Sequence, residues 1–179
     1  MLPGLAARTI DLTIKPMLRA TLVLLIGACA LSAQPPLERI LFLLGNWASD
    51  TDTELGHATA LSTFAQELDR RILTRRGSTK YTSGKNAGQQ HDDLLIVYPE
   101  GPDGGMKAIY FDAEGHVIHY TVTIPEPNTA VFDSDPAQPG PRYRLTHKVT
   151  GRQMETKFEV AAPGQANYQT YVSGVSSRK

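Results

Sequence analysis

The amino-acid sequence predicts an all-β protein, an antiparallel up-and-down β-barrel of about ten strands with a short N-terminal helix. Three observations predict it. Short segments alternate apolar and polar side chains with a period of two. Gly, Pro, Asn and Asp recur between those segments at strand spacing. An open sheet of that size would leave two unpaired edges, and closure removes them. The barrel domain is predicted over 34–179, long enough for one sizeable core.

The chain before it has a different character. Residues 20–33 form an apolar run behind Lys15 and Arg19. Such a run is short of the roughly 20 residues a bilayer span requires. A basic flank, a brief apolar stretch and small residues after it mark a secretory signal. Residues 1–33 are therefore read as a signal peptide, and the protein as exported, either periplasmic or membrane-anchored. Met17 is an alternative start, since Met17-Leu18-Arg19 makes a compact positive head. Ile26-Gly27-Ala28-Cys29 resembles the lipobox of bacterial lipoproteins. That resemblance implies an acylated Cys29 as the mature N-terminus and a membrane tether through it. Ordinary cleavage after Ala30 or Ala33 is the other reading.

Cys29 is the only cysteine, so the domain carries neither a disulfide nor thiolate chemistry. Lys+Arg and Asp+Glu are 18 each over the full chain, and 15 and 17 after residue 33. That balance supplies no basic face, so nucleic acid is not an expected partner.

Element by element, Pro35-Pro36 opens a helical stretch over 37–44, with Leu37, Ile40, Leu41 and Leu44 on one face and Gly45 just past its end. Strands are expected near 47–55, 58–68, 71–81 and 92–98. Leu94-Leu95-Ile96-Val97 is continuously apolar, as in a strand covered on both faces. Over 107–124 a hairpin is predicted around Asp112-Ala113-Glu114-Gly115, a type I turn with Gly115 left-handed. That register pairs Asp112 with His116, Tyr110 with Ile118 and Ala108 with Tyr120. It turns Ile118, Tyr120, Val122 and Ile124 inward, and Pro125 and Pro127 should end the strand. Further strands are read at 129–134, 142–149, 153–160 and 168–177. Tyr143, Leu145, His147 and Val149 share one face of theirs, and Met154, Thr156, Phe158 and Val160 one face of the next. Thr150-Gly151 joins these two. The loops 82–90, 99–105 and 135–141 are rich in Gly, Pro, Asn or Asp.

Gly45-Asn46-Trp47, placed after a short helix at the start of the first strand, resembles the G-x-W signature of the lipocalin and calycin barrels. In that family the Trp plugs the closed end and stacks on a basic side chain near the C-terminus. The resemblance implies that role for Arg178 or Lys179, with Arg142 or Arg144 as alternatives. The segment from Phe64 to Leu73 resembles the second-strand turn of fatty-acid-binding and nitrobindin-like calycins, where Leu-Asp-Gly-Arg is common; Arg70 stands here in place of Gly. His91-Asp92-Asp93-Leu94, Ala108 to Asp112 and Gly115 to Ile118 are similar to a family of uncharacterised bacterial lipocalin-like proteins.

No complete catalytic site is visible. There is no G-x-S-x-G, phosphate loop or dinucleotide fingerprint, and no cofactor is expected from the motifs themselves. His116 and His119 make an H-x-x-H pair, but positions three apart on a strand point to opposite faces, so they do not share an ion. His116 is expected beside Asp112 at the turn. His91-Asp92-Asp93 enters an apolar strand from a loop, where His91 would rim the barrel mouth as an acid, base or ligand. The nitrobindin-like resemblance implies haem held by a late histidine; 148–179 has none, and His147 is the nearest. Tyr98, Tyr110, Tyr120, Tyr143 and Tyr168 would give a pocket apolar walls with polar tips. The expected ligand-binding residues are His91, Tyr110, Ile118, Tyr120, Val122, Leu145, Met154 and Phe158, and the expected partner is a small apolar molecule. Three other readings stay open: a barrel enzyme using His91 with Asp92 or Asp93, with or without His116; a haem-binding nitrobindin-like protein; and a filled barrel with a structural role.

Overall fold

The computed structural model describes residues 35–101, 104–136 and 140–179. The signal-peptide reading and Cys29 lie outside them. Ten antiparallel strands follow one another around a closed barrel: β1 Gly45–Thr53, β2 Gly56–Glu67, β3 Ile72–Tyr81, β4 Gln90–Glu100, β5 Gly105–Asp112, β6 Val117–Glu126, β7 Thr129–Ser134, β8 Arg142–Thr150, β9 Gln153–Ala161 and β10 Gln169–Arg178. Each strand pairs with its sequence neighbours, and β10 returns to β1.

The N-terminal helix is Pro36–Leu43, and it is 3₁₀ rather than α. With three residues per turn, the buried face becomes Leu37, Ile40 and Leu43. Leu41 and Leu44, expected on that face at α-helical spacing, are only half-buried. The helix lies across one end of the barrel. Its buried side chains join Trp47, Phe64, Leu73, Val97, Met106 and Phe132 in one core.

That end is held shut by two residues. Trp47 has no exposed surface, and its Nε1–H donates to the Leu43 carbonyl at 2.8 Å. The Arg178 guanidinium carbon stands 4.5 Å from the centroid of the Trp47 ring, and its Nη2 donates to the Phe42 carbonyl at 2.9 Å. Two carbonyls that a helix end leaves unpaired are thereby satisfied. Gly45 turns the chain from helix to strand with φ +118°, a conformation other residues rarely adopt. Arg142 and Arg144, the alternative stacking partners, instead lie over the Tyr168 ring at 5.1 and 4.3 Å.

The predicted hairpin register is the observed one: Tyr110 pairs with Ile118 and Ala108 with Tyr120, and the Asp112 N–H reaches the His116 carbonyl. Gly115 has φ +90°. Strand β6 does not stop at Pro125. It continues to Glu126 through an irregularity between Thr123 and Glu126, which absorbs the N–H that proline lacks. The seam between β1 and β10 is short, pairing Trp47 with Arg178 and Ala48 with Ser177. Nearer the other end the Glu54 carboxylate bridges it, accepting the Ser173 N–H and Oγ–H at 2.8 Å each.

Candidate functional site

Above the Trp47 floor the barrel is hollow. A cavity of about 640 Å³ opens at the end opposite the helix. The described residues thus leave the interior unfilled. The volume lies within the ~300–1,000 Å³ range of small-molecule sites.

One wall is aromatic and aliphatic. Tyr143 on β8 stacks on Phe158 on β9 with ring centroids 5.8 Å apart, and Tyr171 on β10 meets Phe158 edge-on at 6.1 Å. Strand alternation sets this wall: Tyr143, Leu145 and His147 share a parity on β8, as do Met154, Thr156 and Phe158 on β9. Tyr171 reaches the cavity because the β9–β10 register shifts between Thr170 and Val172. Ile118 and Tyr120 continue the lining on β6.

The other wall is polar. Arg75 projects inward from β3, and its Nη2 donates to Asp93 Oδ2 at 3.2 Å. The Asp93 side chain is only 4% exposed. It faces Gly77 across the β3–β4 ladder, and a Cβ there would lie 2.5 Å from Asp93 Oδ2, so only glycine leaves the carboxylate its place. His91 Nε2 lies 2.9 Å from the Tyr110 hydroxyl and its Nδ1 2.9 Å from Glu114 Oε2. Asp112 accepts from the His116 backbone N–H and from His116 Nδ1, both at 2.8 Å. Burial opposes ionisation of Asp112, yet those two bonds hold its carboxyl below the usual carboxylate range. Burial, with the Asp93 and Asp112 charges adding to it, pushes the Tyr110 hydroxyl far above the phenol range, so it stays protonated. Burial does the same to Tyr120.

Three buried polar atoms of the lining have no hydrogen-bond partner among the described residues: Arg75 Nε, Asp93 Oδ1 and His147 Nε2. His147 borders the cavity floor with no surface of its own open to it. Its Nδ1 is 2.9 Å from Thr156 Oγ1, and the Phe64 and Phe132 rings meet it edge-on at 5.5 and 5.9 Å. Burial, and then the Arg75 charge, holds its pKa well below the imidazole range, so it is neutral.

Of the residues singled out from sequence, His91, Tyr110, Ile118, Tyr120, Leu145, Met154 and Phe158 border the cavity. Val122 does not. It lies one inward position closer to the helix, paired with Met106 and Phe132 in the core. Tyr98 and Tyr168 are absent from the lining. Asp92 is exposed and bonded to Gln90, on the opposite face from Asp93. His116 borders the cavity and His119 does not, so the H-x-x-H pair is split between faces. Arg75, Glu114 and Tyr171 were not foreseen.

No protein-family model matches the chain, and no curated protein matches it. Fold and site together define a closed ten-stranded antiparallel barrel with an end-open cavity, an architecture compatible with a calycin-like fold.

Proposed function

We propose that this protein is an exported, lipocalin-like carrier that holds one small, mostly apolar molecule inside its barrel, with a polar end of that molecule on the Arg75–Asp93 wall. The observation that carries the reading is the pairing of a hollow aromatic-walled cavity with buried polar atoms left unpartnered on the facing wall. Burying apolar area supplies affinity at about 25 cal/mol per Å². The free Arg75 Nε and Asp93 Oδ1 supply orientation, because an unpaired buried polar atom costs about 1–3 kcal/mol until something bonds to it. Export is supported by the character of residues 1–33, and the calycin assignment by the Gly45-Asn46-Trp47 placement beside Arg178. Haem is a poorer fit, since the His147 ring is walled by Phe64 and Phe132 and has no face open to an iron.

Native mass spectrometry of the protein from its own host should show one bound small molecule per chain. The apolar anion 1-anilinonaphthalene-8-sulfonate should compete for the site at one per chain. Ala60→Trp, which fills the cavity from β2, should abolish both while the fold persists. No co-purifying molecule together with no saturable dye binding would overturn the proposal.

A further inference from the structure

The barrel mouth holds a second constellation that an apolar ligand does not require. His91 projects from β4, Asp112 ends β5, and Glu114 sits in the turn to β6. One imidazole nitrogen and one oxygen from each carboxylate lie within 4.8 Å of one another. These are the donor types of zinc-class sites, in which three protein ligands leave a position for water.

Two of the three donors are aimed by a further side chain. The Tyr110 hydroxyl, 2.9 Å from His91 Nε2, fixes the ring so that Nδ1 faces Glu114 Oε2. The His116 ring at 2.8 Å from Oδ2, with its backbone N–H at 2.8 Å from Oδ1, fixes the Asp112 carboxylate, whose side chain is 5% exposed. Metal-ligating imidazoles and carboxylates are held by such outer hydrogen bonds in general. The arrangement is built from different strands that the β4–β5–β6 register brings to one rim.

We propose that His91, Asp112 and Glu114 bind a divalent transition-metal ion of the zinc class at the barrel mouth, with Tyr110 and His116 as positioning residues. Ligands on a tetrahedral ion stand about 3.3–3.5 Å apart. The 2.9 Å contact between His91 and Glu114 therefore opens by a few tenths of an ångström as the ion takes the place of the hydrogen bond between them, Nδ1 offering its lone pair while Nε2 carries the ring proton toward the Tyr110 oxygen. The nitrogen donor disfavours calcium and magnesium, which take oxygen. The remaining coordination position borders the cavity, since all three ligands line it. The site stands independently of what else the cavity holds.

The test is calorimetric titration of the metal-stripped full chain with zinc chloride, with Trp47 fluorescence as the fold control. One ion per chain should bind at micromolar dissociation constant or tighter. His91→Ala and Glu114→Gln should each weaken binding at least tenfold, and His116→Gln about tenfold. Cobalt(II) should give the intense visible bands of a tetrahedral site, lost in Glu114→Gln. His57, paired with the exposed Asp50 and Asp52, is the competing surface site. Binding weaker than millimolar, binding unchanged in Glu114→Gln, or binding lost only in His57→Ala would each overturn the proposal.

Discussion

Replacing Arg178 with Ala should loosen the closed end of the barrel by a predictable amount. The side chain makes two contacts there: the face of Trp47 at 4.5 Å and the Phe42 carbonyl at 2.9 Å. A partly desolvated cation–π contact contributes about 1 kcal/mol. A hydrogen bond from a charged donor contributes about 1.5 kcal/mol, and its loss strands a helix-end carbonyl. The expected destabilisation is therefore about 2–3 kcal/mol. Trp47 is the only tryptophan, so urea unfolding followed by its fluorescence reports the perturbed end directly. With a urea slope of about 2 kcal/mol per M, the midpoint should fall by about 1 M at unchanged slope. Arg178→Lys keeps a cation near the ring without the planar fork and should recover part of the loss. Arg76→Ala, on the exposed face of β3, should leave the midpoint in place. An Arg178→Ala shift no larger than that of Arg76→Ala would refute the assignment of Arg178 as the clamp.

Two further predictions concern stability. His147 is neutral when folded, and its ordinary value is 6.5. As pH falls below that value the unfolded chain gains a proton that the folded chain refuses. Stability should then drop by about 1.4 kcal/mol per pH unit until the depressed folded pKa is reached, while above pH 6.5 the contribution is complete. Urea midpoints between pH 7 and 5 should show this slope in the wild type and lose it in His147→Gln; equal slopes would disprove it. Leu68, Asp69 and Arg70 occupy the left-handed region in succession, with φ of 51°, 52° and 65°. Arg70→Gly should relieve up to about 1 kcal/mol of that strain and raise Tm by about 2–4 °C, and a lower Tm would contradict it.

Most of the architecture was readable because it is local. The turn at Asp112–Gly115 sets its own register through a single left-handed glycine, and β8 and β9 alternate cleanly enough to declare their inner faces. The helix type was not readable, because a leucine-rich run offers partners at both three and four residues and packing chooses between them. Parity failed where the code is degenerate. Arg75 and Arg76 are adjacent, and only pairing of β3 with β2 and β4 decides which one enters the barrel. Depth failed as well. Val122 has the right parity for the cavity, but Met106 and Phe132 close the space at its level. The meeting of His91 with Glu114 depends on non-local register, Asp93 opposite Asp112, which no spacing along the chain encodes.

The lap joint between first and last strands carries its own consequence. Backbone bonding there is concentrated beside Trp47, with the Lys179 N–H on the Asn46 carbonyl at 2.9 Å, and higher up the carboxylate of Glu54 stands in for the missing ladder. Resistance to parting is thus graded along the joint, firm at the plug and resting on one solvated side chain near the rim. Parting the strands there has the fewest bonds to break, and it would leave untouched the end that keeps the cylinder closed.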